Sequence, residues 1–187
     1  MLKVAVTGNI ASGKSQVERF LSGNGFIVYD ADKIAHSILD TINEFYGYKV
    51  FTNGKIDRQK LGNLVFSDSN IKKQLENIVH PQVKQKISEL FEKHRDEEFI
   101  FVSVPLLYES GFDAIFDKVI LITTDKETQL KRLISRNNLT EEEALKRIYA
   151  QIPQEEKIKK ADFVINNNST LQSLHEKLLE VIQKLQS

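Results

Sequence analysis

The chain reads Gly8-Asn9-Ile10-Ala11-Ser12-Gly13-Lys14-Ser15 near its start, and this octapeptide decides the fold. Its two glycines and its Lys-Ser pair have the Gly-x4-Gly-Lys-Ser spacing of the Walker A motif. The short apolar run at residues 2–6 predicts a buried strand before the octapeptide, and the helical spacing of apolar residues over 14–21 predicts a helix after it. A strand, a glycine-containing loop and a helix in this order are the context that the motif requires.

The residue types in this loop suit a phosphate ligand. Gly8 and Gly13 let the backbone curl until consecutive N–H groups and the positive end of the helix face phosphate oxygens. Lys14 then reaches the β and γ phosphates of ATP, and the Ser15 hydroxyl takes a Mg²⁺ coordination position. The alternative is a glycine-rich turn with a solvated lysine. The residues that we predict to bind ATP are Gly8, Asn9, Ile10, Ala11, Ser12, Gly13, Lys14, Ser15 and Gln16.

The rest of the chain alternates strand and helix patterns. Apolar runs predict further strands at residues 26–29, 99–104, 119–122 and 163–165, and residues 171–185 have the period of an amphipathic helix. Between about 40 and 95 the period is mostly helical, with a break expected at His80-Pro81 because the residue before proline is pushed out of helical geometry. We therefore predict an α/β fold with a doubly wound parallel sheet and a helical insertion.

Composition excludes several classes of protein. The 187 residues include no cysteine, so disulfides, thiolate metal sites and thiol nucleophiles are excluded. The 26 basic and 26 acidic residues give a net charge of 0, which argues against nucleic acid or an anionic membrane as a partner. The four histidines are scattered, so no zinc or iron site is expected. The apolar run at the start is too short for a signal peptide or a membrane span, and we expect a cytoplasmic protein.

Two carboxylates stand where the second predicted strand gives way to a helix. If that strand neighbours the first one, Asp30 and Asp32 both face the phosphate loop. One carboxylate could then hold metal-bound water while the other accepts a hydroxyl proton. The alternative is that Asp32 only caps the next helix.

A basic segment lies between residues 126 and 160, with nine Lys or Arg and six Glu. Asp125 and the pair Thr140 and Glu143 have the pattern of helix caps. Arg132 and Arg136 are spaced i, i+4, so both guanidinium groups could reach one anion. The alternative is a solvated helix face with glutamate partners.

Several segments together resemble dephospho-coenzyme A kinase, a P-loop kinase family related to the nucleoside monophosphate kinases. The resemblance runs through nearly the whole chain. Beyond the Walker loop it rests on Asp30-Ala31-Asp32-Lys33-Ile34-Ala35-His36, Ile56-Asp57-Arg58, Leu75-Glu76-Asn77-Ile78-Val79-His80-Pro81, Val104-Pro105-Leu106-Leu107-Tyr108-Glu109, Gln129-Leu130-Lys131-Arg132-Leu133 and Ala161-Asp162-Phe163-Val164-Ile165-Asn166-Asn167. The chain departs from the family where Asn9 and Ala11 replace frequent glycines and where Ser103 replaces the Asp of some members. That leaves metal support to Ser15, Asp30 and water.

The resemblance implies transfer of the ATP γ-phosphate to the ribose 3′-hydroxyl of dephospho-coenzyme A, the last step of coenzyme A synthesis, with Mg²⁺ as cofactor. It implies five parallel strands, a nucleotide-binding core at 1–39 and 99–187, a helical acceptor-binding insertion at 40–98 and a helical lid at about 126–160. Asp32 is then the general base, with Lys14 and Arg132 the other catalytic residues. The remaining implied contacts are Arg136 and Asn166 with ATP, Thr7, Asp30, Asp32, Arg58 and His80 with the acceptor, and Ser15 with the metal.

The residues alone, without the resemblance, indicate a P-loop phosphotransferase of unknown acceptor. One alternative is therefore another small-molecule kinase that acts on a nucleoside monophosphate or an alcohol. A GTP-dependent switch is a second alternative, but the chain has no Asn-Lys-x-Asp guanine-reading motif. A nucleic-acid-binding module is a third, disfavoured by the zero net charge. The oligomeric state cannot be read from the sequence.

Overall fold

The computed structural model describes residues 1–39, 50–52 and 55–186, without the side chains of Lys55, Arg58 and Phe66. In chain order the elements are β1 (Leu2–Gly8), α1 (Lys14–Gly23), β2 (Ile27–Asp30), α2 (Ala31–Leu39), β3 (Phe51–Thr52), β4 (Lys55–Ile56), α3 (Arg58–Ser67), α4 (Ser69–Lys93), β5 (Phe99–Ser103), a 3-10 turn (Asp113–Ile115), β6 (Lys118–Thr123), α5 (Lys126–Asn137), α6 (Glu141–Tyr149), α7 (Gln154–Ile158), β7 (Phe163–Asn166) and α8 (Leu171–Gln186).

The chain forms two compact units. The first comprises Met1–Asp30 and His94–Ser187, and the second comprises Ala31–Lys93. Helix α2 thus belongs to the second unit, although the sequence analysis placed residues 31–39 in the core and began the insertion at residue 40. Within the described residues, no helix is long and apolar enough to cross a membrane.

The first unit is built on a five-stranded parallel sheet in the order β2-β5-β1-β6-β7. This confirms the predicted fold class and strand number. Strand β1 is central, and its residues Val4, Ala5 and Val6 are fully buried, because a strand covered on both faces is apolar on both. The octapeptide begins at the carboxyl end of β1 and therefore lies at the middle of the sheet edge.

Asp30 and Asp32 were both expected to face the phosphate loop if β2 were the neighbour of β1. Strand β2 does not pair with β1, because β5 lies between them. In register, Asp30 stands opposite Ser103 of β5, and Ser103 in turn stands opposite Val6 of β1. The sequence could not show this, since strand order is decided by long-range pairing.

One face of the sheet packs against α1 and α8. Their apolar stripes are buried against the strands, with Val17 and Leu21 on α1 and Leu174 and Leu178 on α8. Burial of such side chains contributes about 1.5–3 kcal/mol each. The buried Val17 thus holds α1, the helix that follows the phosphate loop, against the sheet.

Both predicted helix caps in the basic segment are present. Asp125 accepts the backbone N–H of Thr128 at 2.7 Å, and Thr140 forms a reciprocal capping box with Glu143. The caps satisfy N–H groups that the first turn of a helix leaves without partners.

Among its described residues, the second unit holds a short antiparallel hairpin, β3 with β4, and the helices α2, α3 and α4, of which α4 packs against the other two. The break predicted at His80-Pro81 is wrong, because α4 continues through Pro81 to Lys93. A proline inside a helix costs about 3 kcal/mol. The buried side chains of Val79, Val83 and Ile87 on both sides of it favour the continuous helix.

Candidate active site

The loop between β1 and α1 has the conformation that a phosphate cradle requires. Gly13 caps α1 with φ of +99°, a region that favours glycine. A Cβ at Gly13 would collide with the side-chain amide of Asn167, and a Cβ at Gly8 would lie 2.5 Å from the carbonyl oxygen of Ile122. Close contacts therefore require glycine at both positions, and backbone geometry requires it at Gly13 as well.

The loop leaves polar atoms without protein partners. Ser12 Oγ and Asn9 Oδ1 are buried and have no hydrogen-bond partner within the described part of the chain. Buried polar groups are nearly always hydrogen-bonded in folded proteins. These two atoms are consistent with a loop that completes its contacts when a ligand binds.

Lys14 lies at the beginning of α1 and contacts two polar groups. Its ammonium is 2.8 Å from Glu18 Oε1 and also donates to the hydroxyl of Ser103. Ser103, which is fully buried at the end of β5, donates to Glu18 at 2.5 Å. The lysine, the glutamate and the serine thus form a three-membered cluster.

The structure brings Arg132 to the loop but not Arg136. Arg132 Nη2 donates to the carbonyl of Asn167 at 3.1 Å, and its Nη1 atom is buried without a hydrogen-bond partner among the described residues. That atom is 4.0 Å from where a Cβ on Gly13 would lie. Arg136 is exposed and donates to Asn137. The two arginines therefore do not act on one anion in this conformation.

Two glutamines hold the tip of the loop, and the sequence analysis gave them no role. Gln129 donates to the carbonyl of Ile10 at 2.8 Å, and Gln151 accepts the N–H of the same residue at 2.7 Å. Asn9 also donates to the carbonyl of Ile152. A signal was present, because uncharged amide side chains interrupt an otherwise charged segment, but amides on helix faces are usually solvated.

The sequence also contains no indication of the ion pair between Lys157 and Glu109. Lys157 is fully buried, and its ammonium lies 2.7 Å from Glu109 Oε1, which also accepts the N–H of Ile152 at 3.1 Å. No role was predicted for Lys157, because a lysine in a charged segment is usually solvated and no local signal indicates its burial.

The asparagines that follow β7 have different surroundings. Asn166 is exposed, and its side-chain oxygen accepts the N–H of Asn168. Asn167 is buried and donates to the carbonyl of Ser12 at 2.8 Å. The prediction named Asn166, whereas the phosphate loop is contacted by its neighbour.

The residues predicted to contact the acceptor are divided between the units. Thr7 is fully buried, and its hydroxyl donates to the carbonyl of Pro105 at 3.5 Å. Asp30 ends β2 and is half-buried. In the second unit, Asp32 is exposed in the first turn of α2, and His80 is half-buried within α4. Arg58 begins α3, but its side chain lies outside the described residues.

Burial shifts the pKa of two side chains, Tyr108 and His80. Burial raises the pKa of Tyr108 to about 12, with smaller contributions from the negative charges of Asp113 and Asp162. Burial also lowers the pKa of His80, against an opposing effect of Glu76. Both side chains are therefore neutral near pH 7.

Comparison with known protein families identifies the family to which this chain belongs. The family model described as Dephospho-CoA kinase matches residues 2–173. The chain belongs to the dephospho-CoA kinase family. A dephospho-CoA kinase from Fusobacterium nucleatum is 45% identical over 182 residues, which cover 94% of each chain.

Solved structures agree with this family. The structure of a dephospho-CoA kinase from Campylobacter jejuni superposes with a TM-score of 0.76 and is 39% identical, covering 98% of this chain and 96% of that chain. The structure of TT1252 from Thermus thermophilus has a TM-score of 0.85 at 34% identity, covering 98% and 97%. The dephospho-CoA kinase from Campylobacter jejuni thus shares its fold with this chain over nearly the whole length of both.

Proposed function

We propose that this chain transfers the γ-phosphate of ATP to the ribose 3′-hydroxyl of dephospho-coenzyme A, the final step of coenzyme A synthesis. As a member of the dephospho-CoA kinase family it is a kinase. The observation that carries the acceptor assignment is the family match, which extends over residues 2–173 and so includes the second unit as well as the phosphate loop. The loop by itself supports phosphate binding only.

The groups around the phosphate loop support the nucleotide end of the proposed reaction. The loop ends at Gly13, where the first N–H groups of α1 are directed at the cradle, and anions are favoured at such a helix start. Lys14 and Arg132 supply positive charge there. These cations stabilise the charge that redistributes over the transferring phosphoryl group.

The oxygen donors near Lys14 fit a Mg²⁺ ion that arrives with ATP. Mg²⁺ prefers oxygen ligands and is usually held by one or two protein groups together with substrate phosphates. The exposed hydroxyl of Ser15 at the start of α1 suits that role. When bound, the ion neutralises negative charge on the phosphates.

The acceptor end is assigned to residues of the second unit and to Asp30, the last residue of β2. Asp32, which is exposed in the first turn of α2, is the proposed general base, because the resemblance of the Asp30-Ala31-Asp32 segment to the family implies that role. Asp30, Arg58 and His80 are proposed to bind the acceptor. Thr7 is assigned a structural role, since its side chain is buried.

The segment from α5 to α7 is proposed to close over the nucleotide. It already contacts the loop tip through Gln129 and Gln151, so movement of the segment would change the cradle directly. Closure that excludes water strengthens the electrostatic interactions inside a site.

A turnover assay tests the proposal. ATP and Mg²⁺ are supplied with dephospho-coenzyme A, with AMP, or with simple alcohols, and the product is identified by chromatography against coenzyme A. We expect turnover with dephospho-coenzyme A only, lowered at least about 100-fold in a Lys14→Ala preparation made in parallel. Turnover of AMP without turnover of dephospho-coenzyme A would show that the acceptor assignment is wrong.

A further inference from the structure

The end of β5 carries a hydroxyl group at a place where P-loop enzymes use a carboxylate. In these enzymes Mg²⁺ is held by the Ser or Thr of the loop and by an aspartate of the Walker B strand. Here β5 pairs directly with β1, and its last residue is Ser103, which is fully buried. A buried hydroxyl without charge is a weak substitute for that aspartate.

A carboxylate nevertheless reaches this position, from a helix instead of a strand. Glu18 Oε1 accepts the Ser103 hydroxyl at 2.5 Å and lies 2.8 Å from the Lys14 ammonium. Glu18 is one turn after Lys14 and Ser15 on α1, so all three side chains are on neighbouring parts of one helix surface. Glu18 therefore lies on the same helix as Lys14 and Ser15, the residues assigned to the phosphates and the metal of ATP.

The pair differs from the ordinary i, i+4 ion pairs of this protein. The side chains of Lys14 and Glu18 are only 16% and 19% exposed, whereas those of Lys131 and Glu127 are 74% and 77% exposed. Exposed pairs are screened by solvent and contribute little. The shielded pair is also held by a third group, Ser103, from another element, so its geometry is set by the tertiary structure.

We propose that Glu18, with Ser103 as its partner, replaces the missing strand-end carboxylate. It acts as a positioning residue that orients the Lys14 ammonium and supports the water shell of the Mg²⁺ that accompanies ATP. This inference rests on the proposed use of Mg²⁺ and ATP. The proposal predicts opposite effects of Glu18 on ATP affinity with and without the metal. A carboxylate beside the triphosphate repels metal-free ATP and favours ATP only when the cation is present.

The test compares nucleotide affinity with and without metal. Titration calorimetry gives the Kd of a non-hydrolysable ATP analogue in Mg²⁺ and in EDTA, for the wild type and for Glu18→Gln. We expect Glu18→Gln to lower the affinity gain from Mg²⁺ by about tenfold or more, the usual size for groups that support a metal indirectly. Binding in EDTA should be equal or tighter. An unchanged gain from Mg²⁺, or equal tightening in both conditions, would overturn the proposal.

A second variant tests the replacement itself. In Glu18→Gln/Ser103→Asp the carboxylate returns to the end of β5, and we expect the gain from Mg²⁺ to recover at least in part. A double variant that melts like the wild type but shows no recovery would also overturn the proposal. The control is Glu176→Gln, which changes an exposed i, i+4 pair with Gln172 on α8 and should leave both affinities unchanged.

These measurements separate the inference from the proposed function. Affinity for the analogue is read without any acceptor, so a wrong acceptor assignment leaves the test intact. A wild type that turns over dephospho-coenzyme A while Glu18→Gln keeps its full gain from Mg²⁺ would contradict the inference alone.

Discussion

Asn167 donates a hydrogen bond from its side-chain amide to the carbonyl oxygen of Ser12, at 2.8 Å and across 155 positions of the chain. The bond ties the end of the outermost strand, β7, to the phosphate loop beside β1. The amide fills the space that a side chain on Gly13 would need. The glycine and the asparagine are thus required together.

The first prediction concerns Gly13→Ala. A Cβ at this position collides with the Asn167 amide, and the backbone φ of +99° strains any residue other than glycine. We expect ATP affinity to fall at least about tenfold, because backbone strain of about 1–3 kcal/mol adds to the loss of the Asn167 contact. Calorimetric titration with ATP measures it.

Two other glycines separate the causes. Gly25 has φ of +83° with open space around it, and Gly23 has open space without a positive φ. Gly25→Ala should lower thermal stability slightly with normal ATP affinity, and Gly23→Ala should change neither. Weak ATP binding by Gly25→Ala would mean that general strain, and not the contact with Asn167, explains Gly13→Ala.

Lys14→Ala should lower kcat at least about 100-fold. The substitution removes a preorganised positive charge from the phosphoryl group that is transferred. The fold should survive, since Lys14 lies at the start of a helix and not in the core. Steady-state turnover and circular dichroism measure the two effects, with Arg19→Ala on the exposed side of the same helix as the control. A folded Lys14→Ala enzyme with near-normal turnover would contradict the assignment of the loop.

Asp32→Asn should keep ATP binding and lose turnover by about 10²- to 10⁴-fold, the range for a positioned general base. Because phosphoryl transfer is loose, misplacement of the hydroxyl contributes to this loss. The control is Asp96→Asn, which changes an exposed residue in a loop. If ATP affinity collapses together with turnover, Asp32 is a nucleotide or metal group, and Asp30 becomes the candidate base.

Arg132 should act on the rate and not on ATP affinity. Its Nη1 atom has no hydrogen-bond partner in the described part of the chain, so it can bind the phosphoryl group when the site closes. Arg132→Ala should cost up to about 10³-fold in single-turnover rate, and Arg132→Lys should already be damaging, since lysine lacks the planar fork. Arg136→Ala should cost much less. If Arg132→Ala weakens only ATP binding, Arg132 is a ground-state phosphate clamp.

Breaking the buried pair of Lys157 and Glu109 should destabilise the protein. Lys157→Met leaves a shielded carboxylate without its partner, a loss of about 3–5 kcal/mol, and lowers the melting temperature by about 10 °C in a chain of this size. Lys157→Met/Glu109→Leu should recover part of the loss, because no charge is left unpaired. Lys146→Met, in an exposed pair with Glu142, should melt like the wild type. Equal melting of Lys157→Met and wild type would contradict this prediction.

Local signals determined most of the elements. The octapeptide and its flanking strand and helix could be read directly, because the motif and both periodicities lie within about twenty contiguous residues. The caps at Asp125 and Thr140 were also readable, since a cap involves residues three apart. The family resemblance then added the number of strands and the identity of the acceptor.

Relations between distant segments were decided only by the tertiary structure. Strand β5 enters between β1 and β2, which places Ser103 beside the loop and lets Glu18 reach it. Packing between distant segments also decides three other features, which are the continuation of α4 through Pro81, the burial of Lys157 and the contact of Asn167 with Ser12. Each depends on which surfaces pack together, and packing outweighs local preferences of a few kcal/mol that a sequence pattern reports.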